Sequence, residues 1–215
     1  MNVRIVYFLY MVHGRSVPFA NEQLGSIRKL ALYELASSID VEIIAEPHIE
    51  QIEIDNLKRL LEKKFPKVKY SINNQNYFEY FGFKKMYEIS QEDDNSIILY
   101  FHSKGIFSNS HQHRWQLFRY TILNYRDYIS EFEKNPELDL AGICPHTKGF
   151  IYFNYLWVRS SFIKNYCPMP VPNENRYVWE SEYWISGNKD KIVMYSPFFK
   201  YDIQNTFDIF NLPNV

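Results

Sequence analysis

Apolar and polar positions follow two alternating periods over the first hundred residues. Val3–Val12 is a nearly unbroken apolar run, the pattern of a strand buried on both faces. Behind Asn21 as N-cap, Leu24, Ile27, Leu30/Ala31 and Leu35 recur at helical spacing and predict a helix over 21–38. Val41–Ala45 predicts a second, shorter strand. Ile54, Leu57, Leu61 and Phe65 mark a helix that has to end before Pro66. Val68, Tyr70 and Ile72 alternate, which predicts a strand over 67–72, and a short helix over 80–89 leads into the apolar strand Ile97–Phe101. This alternation predicts an α/β fold: a Rossmann-like, mostly parallel central sheet with helices on both faces.

The second half has a different texture. Residues 110–134 predict one long helix with Trp115, Phe118, Ile122, Tyr125, Ile129 and Phe132 on its apolar stripe. A strand over Leu140–Cys144 follows. The aromatic segment HTKGFIYFNYLWVRSSFIKNY predicts a strand or loop and then a short helix from about Ser160. After a proline-rich loop at 167–175, a helix over 178–186 and a last strand over 191–195 complete the pattern. No linker composition separates the halves, so residues 1–215 are expected to form one domain.

Composition narrows the partners. The net charge is −1, from 24 Lys and Arg against 25 Asp and Glu, which argues against nucleic acid, whose phosphates demand clustered cations. Aromatic residues make up 18%, with 18 Tyr and 17 Phe; most serve a core, and a minority is expected to line a cleft. Two cysteines, Cys144 and Cys167, supply neither a disulfide framework nor a zinc ligand set and fit a reducing compartment. The apolar run Ile5–Val12 is too short to span a bilayer and lacks the flanks of a signal peptide. A cytoplasmic protein with no transmembrane segment is therefore expected.

Chemistry concentrates at the end of the Ile97–Phe101 strand. His102 can accept a proton or a metal, Ser103 brings a hydroxyl, Lys104 a cation, and Gly105 opens backbone angles closed to other residues. Ligands of doubly wound sheets sit outside the carboxyl ends of the strands, which is where these four residues fall. No glycine-rich phosphate loop and no G-x-S-x-G elbow occurs, which leaves dinucleotide oxidoreductases, P-loop NTPases and serine hydrolases without support. His111 and His113 lack a third ligand and read as an exposed first helical turn. Glu180 and Glu182, in WESEYWI, stand beside Trp179 and Trp184. They read either as a desolvated general base or as two solvated acids on a surface turn, and spacing alone does not separate the two. Asp93-Asp94 precedes a strand and reads as a turn.

Taken in order, the segments NYFEYFGFKKMYEIS, SIILYFHSKG, HRW, LDLAGI, FNYLWVRSSFI and RYVWESEYWI resemble a group of glycosyltransferase-like proteins of bacteria and large DNA viruses. Their sheet has the nucleotide-diphospho-sugar transferase (GT-A) fold. They carry a strand ending in His-Thr/Ser-Lys-Gly, a Trp-Arg-type helix, a Gly-Asn-Phe-Trp-Trp-like segment and an Arg-Tyr-x-x-Glu-Phe-Trp-like segment. Here Phe153 stands where that group often has Gly, and Leu156 where it often has Trp. The resemblance implies transfer of a hexosyl or deoxyhexosyl unit from a nucleotide-sugar donor such as a UDP-sugar to a saccharide acceptor, as in glycan or polysaccharide synthesis. Residues 1–105 would hold the nucleotide, and 106–215 the acceptor and catalytic groups. Tyr10, Val12 and His13 would line base and ribose, with Asn73, Tyr77 and Glu79 closing the other side. His102, Ser103, Lys104 and Gly105 would face the donor diphosphate. Asn154, Tyr155 and Trp157 would meet the acceptor, with the 167–175 loop above them, and Glu182 would be the catalytic carboxylate. In most GT-A enzymes the strand before this site ends in Asp-x-Asp, which holds a divalent metal. With His102-Ser103-Lys104 in its place, a lysine neutralises diphosphate directly, and His102 is the residue left to ligate Mn²⁺ or Mg²⁺. A domain of the same fold that binds a nucleotide sugar or carbohydrate without catalysis is the alternative.

Overall fold

The computed structural model describes residues 1–107, 111–146, 148–173, 183–186 and 188–197, apart from the side chains of His111, His113 and Tyr183. Its centre is the first apolar run, strand β1 (Asn2–Tyr10), flanked by two equally apolar or fully buried neighbours, β2 (Ser38–Ile44) and β4 (Ser96–His102). Both faces of these strands are covered. Ile5, Tyr7 and Leu9 of β1 pack with helices α1 (Ser16–Lys29) and α3 (Gln51–Lys64) in one apolar cluster. Val6 and Phe8 point the other way, into a cluster with α4 (Tyr80–Glu92) and α7 (Ser160–Tyr166). That period of two, with both sets apolar, is why the run carries no polar interruption.

A seven-stranded sheet results, in the order β3-β2-β1-β4-β8-β5-β9, where β3 is Val68–Asn73, β5 is Leu140–Gly142, β8 is Leu156–Arg159 and β9 is Met194–Tyr195. All pairs are parallel except those of β8, which runs antiparallel to both β4 and β5. Two short strands, β6 (Pro145–His146) and β7 (Phe150–Ile151), pair beside the sheet. The expected α/β class, mostly parallel with helices on both faces, is the observed one.

Boundaries differ in three instructive places. Helix α1 begins at Ser16, whose hydroxyl accepts from Val12 N–H and donates to Val12 O, closing the turn after β1. It ends at Lys29; Ala31 adopts φ +60°, and a four-residue helix α2 (Leu32–Leu35) follows, leaving Leu35 52% exposed rather than on the apolar stripe. Strand β2 starts at Ser38, three residues before the expected Val41, because Ser38, Asp40 and Glu42 alternate with Ile39, Val41 and Ile43 and are themselves buried. These buried polar groups are satisfied: Ser38 donates to Asp40, Ser71 donates to Glu42, and Lys85 lies 3.8 Å from Glu42. Burial nevertheless raises the Glu42 carboxyl above its ordinary range.

The long helix expected over 110–134 is three pieces: α5 (His111–Phe118), a π-helical stretch Arg119–Leu123, and α6 (Tyr125–Lys134). A wider turn shifts the phase of the stripe. Ile122, Tyr125 and Phe132 stay buried, whereas Trp115, assigned to the same stripe, is 52% exposed. Of the helix expected over 178–186, residues 183–186 form a 3₁₀ turn and 178–182 lie outside the described residues. Among the described residues no helix is long and apolar enough to cross a membrane.

Candidate functional site

The sheet order locates the site. From β1 the chain moves outward through β2 to β3, then returns through α4 to the opposite side of β1, where β4 lies. The switch in direction therefore falls between β1 and β4, and a crevice opens at their carboxyl ends. Phe8 pairs with His102 there. Past that pair, Ser103 N–H donates to Phe8 O at 2.9 Å and Tyr10 N–H donates to Ser103 Oγ at 3.0 Å. Ser103 is thus a buried staple between the two strands. A tight turn follows, with Gly105 at φ +77° and Ile106 N–H on Ser103 O, and it lifts Lys104 to the rim.

Beneath Lys104 lies a buried polar cluster. The hydroxyl of Tyr100 and the amide of Asn154 donate to Glu79 Oε2 at 2.9 and 3.0 Å. His102 Nδ1 is 3.3 Å from Glu79 Oε1, and Nε2 is 3.0 Å from the carbonyl of Phe153. A carbonyl only accepts, so Nε2 carries a proton. The contact with Glu79 would be an ion pair only if Nδ1 were protonated too. Burial, and then the ammonium of Lys104, hold this imidazole down to about 3, so the ring is neutral at neutral pH. The hydroxyl of Tyr155 donates to His102 O at 2.7 Å and receives the amide of Gln23 at 3.3 Å, which supports the cluster from the α1 side; burial raises its pKa.

Phe153 and Asn154 adopt φ +68° and +49°, angles that favour glycine. For a phenylalanine this conformation costs about 1–2 kcal/mol. Two contacts offset it: the Phe153 carbonyl receives His102 Nε2–H, and its ring sits 5.4 Å from Lys104 Nζ. The glycine common at this position in the resembled group suits the same backbone. Among the described residues no acid pairs with Lys104, and its ammonium has the Phe153 ring as a neighbour.

Of the expected site residues, the structure gathers Tyr10, Glu79, His102, Ser103, Lys104, Gly105, Asn154 and Tyr155 at this edge. Asn73 ends β3 with its amide 3.5 Å from Ile43 O, and Tyr77 packs on Tyr80 and Phe81. Val12 is tied into the α1 turn, and His13 turns outward to Glu53 of α3 at 2.9 Å. The residues expected to meet an acceptor are buried. Trp157 is fully buried in β8, between β4 and β5, where its indole N–H donates to Thr121 O in the π-helical stretch and its ring stacks near Tyr128. Tyr155 is also fully buried and Asn154 is 2% exposed. All three are held by hydrogen bonds to Glu79, to His102 O and to Thr121 O. Glu180 and Glu182 lie outside the described residues.

His102 does not fit the part of a metal ligand as placed: Nε2 is spent on Phe153 O, and Nδ1 lies 3.3 Å from Glu79 Oε1. Among the described residues no group of three or more His, Cys, Asp or Glu side chains is placed to hold a metal ion. The structure adds residues that the motifs did not single out. Tyr10 OH is bonded to Glu46, Asn76 Nδ2 reaches Tyr10 OH at 3.5 Å, and the ring of Phe107, 68% exposed, lies 4.9 Å from that of Tyr10. An acid directly after the second strand and an aromatic residue directly after the Gly105 turn were their traces in the sequence.

No protein-family model matches the chain, and no curated protein matches it by sequence. Among solved structures it is similar to a 4-diphosphocytidyl-2C-methyl-D-erythritol synthase, at 10% identity and TM-score 0.43 over 98% of this chain and 96% of that one. It is also similar to a mannosyltransferase from Pyrobaculum calidifontis in complex with GDP-Man and Mn²⁺, at 8% identity and TM-score 0.47. That alignment covers 89% of this chain and 56% of the other, so this chain spans about half the mannosyltransferase's length. Neither likeness is strong enough to carry chemistry over.

Proposed function

We propose that this chain transfers a sugar from a nucleoside-diphosphate sugar to a saccharide acceptor. The observation that carries the reading is Lys104: a cation without an acidic partner among the described residues, raised on a glycine turn at the switch point of the sheet. As the bond between the sugar's anomeric carbon and the diphosphate oxygen breaks, negative charge grows on the leaving diphosphate, and a fixed ammonium there stabilises it. The buried cluster beneath holds that cation in place through Phe153, whose carbonyl is fastened to His102. His102 is a positioning residue in this scheme, because both ring nitrogens are engaged. No step is routed through a metal. Glu182 enters from the resemblance as the carboxylate that accepts the acceptor hydroxyl's proton.

A non-catalytic, nucleotide-sugar-binding domain is the second reading. It is favoured by the burial of Asn154, Tyr155 and Trp157, which removes the acceptor contacts the resemblance implied. Incubating the protein with a panel of nucleotide sugars, with and without Mn²⁺, and assaying released nucleotide discriminates the two. Turnover that drops by roughly 10²–10⁴ in Glu182→Gln, with donor affinity kept, supports the transferase. Saturable binding without release of nucleotide assigns the second reading, and absence of binding removes both.

A further inference from the structure

Helices α1 and α3 lie side by side on one face of the sheet, and the furrow between them has a volume of about 540 Å³. Val17, Pro18 and Leu60 give it apolar walls, and the exposed side chains of Arg15, Arg59, Lys63 and Lys64 supply its charge. Asn56, Arg59 and Lys63 follow one another at helical spacing along a single stripe of α3. Among the described residues none of the four cations pairs with an acid. Arg15 donates to Ile106 O at 3.0 Å, Arg59 to Asn56 Oδ1 at 3.4 Å and Lys64 to Asn21 Oδ1 at 2.6 Å. Glu53, the acid in the lining, is taken up by Gly14 N–H at 2.8 Å and by His13 Nδ1 at 2.9 Å. A cleft lined by one sign of charge over apolar walls concentrates its potential and draws in an anion. From Glu53 to Lys64 the furrow follows α3 for about 16 Å, at 1.5 Å per residue, which is too long for one phosphate.

One end of the furrow reaches the site. Arg15 stands at the N-terminus of α1, and the carbonyl it holds, Ile106 O, belongs to the turn that carries Lys104. A chain lying along α3 therefore arrives beside that turn. Resting on the transferase reading above, we propose that this furrow is a remote grip for the acceptor, and that the acceptor is an acidic saccharide chain bearing anionic groups at intervals. Those groups meet Arg15, Arg59, Lys63 and Lys64, Asn56 reads hydroxyls, and the apolar walls take sugar C–H faces. An acidic segment of a partner protein would meet the same charges, but it has no need of a furrow that ends beside Lys104. A substrate does.

Fluorescence anisotropy of the whole chain with a labelled hexamer of galacturonic acid, which bears one carboxylate per sugar, tests this beside a glucose hexamer and a glutamate hexapeptide. The acidic sugar should bind, the neutral one should not, and added salt should weaken the binding. Arg59→Gln with Lys63→Gln should weaken it roughly 2–30-fold, the combined loss of two exposed charge contacts. Lys134→Gln with Lys191→Gln, the same change of charge at exposed positions outside the furrow, should leave it unaltered. No binding of the acidic sugar, equal binding of the neutral one, or equal losses in the two double variants overturns the inference. A glutamate peptide that binds as tightly as the acidic sugar overturns it in favour of a protein partner. Release of nucleotide from a sugar donor, assayed on the same chain, keeps the two readings apart. Donor turnover without binding of the acidic sugar overturns this inference alone. Binding of the acidic sugar by a chain that binds no nucleotide sugar overturns the transferase reading, and the acceptor's role with it.

Discussion

Acidification offers a direct measure of the state of His102. An unfolded chain protonates this imidazole near 6.5, whereas the folded chain resists down to about 3, because the ring is buried and lies near the Lys104 ammonium. Above pH 6.5 neither state holds the proton, and His102 adds no slope to stability. Between 6.5 and 3 the unfolded state binds one proton more, so the free energy of unfolding falls as pH falls. At pH 5 the loss amounts to about 2 kcal/mol, from the 1.5 units below the unfolded value. Urea unfolding at pH 7 and pH 5, on the protein and on His102→Gln, measures it. The glutamine amide can still donate to Phe153 O, and titrating groups remote from the His102–Glu79 contact, such as Glu42 with its raised pKa, act equally in both and cancel. The protein should lose about 2 kcal/mol more than the variant, with unchanged m-values. Equal losses would refute the argument. A smaller loss in the protein would mean that His102 is protonated in the fold and paired with Glu79 as ions after all.

Two further perturbations probe the rim and the core. Lys104→Ala should weaken binding of a nucleoside diphosphate by on the order of 1.5–3 kcal/mol and leave the free nucleoside nearly unaffected, since the ammonium is assigned to the diphosphate; equal losses in calorimetry would take that assignment away. Gly82→Ala in α4 should destabilise the fold by about 1–2 kcal/mol. The new Cβ would stand 2.7 Å from Tyr100 Cε2 and 2.9 Å from its hydroxyl, and overpacking of this kind exceeds the roughly 1 kcal/mol that alanine gains over glycine in a helix. A midpoint in urea higher than that of the parent would show that Tyr100 yields.

The sheet was legible wherever burial alone decides residue type. β1 and β4 bury both faces, so their apolar runs are long and unambiguous. β2 was read short because Ser38, Asp40 and Glu42 are buried through hydrogen bonds to each other, to Ser71 and to Lys85, and no periodicity of apolar residues reports a partner on another element. The long helix hid a π-helical stretch for a related reason. Its widened turn frees the Thr121 carbonyl for the indole of Trp157, a contact 36 residues distant in sequence. Trp115 then faces solvent although its spacing fits the stripe.

The motif HSKG falls at the switch point of the sheet, but the motif alone left the division of labour among its residues open. Chemistry-bearing residue types say that a lysine and a histidine stand at the end of a strand; only packing says that the histidine is neutral, pinned by a carbonyl, and the lysine raised above it. Phe153 shows how the two are joined. A phenylalanine in left-handed backbone is costly, and the residue persists in that conformation because its carbonyl meets His102 and its ring meets Lys104. A glycine would relieve the backbone and keep the carbonyl, but it would lose the ring that holds the ammonium over the crevice. The departure from the resembled pattern at this position is therefore a change in how the cation is held. The same turn sets the partners of its neighbours: with it spent on fastening His102, Asn154 donates to Glu79 and Tyr155 to the His102 carbonyl, contacts that no spacing in the aromatic segment reports.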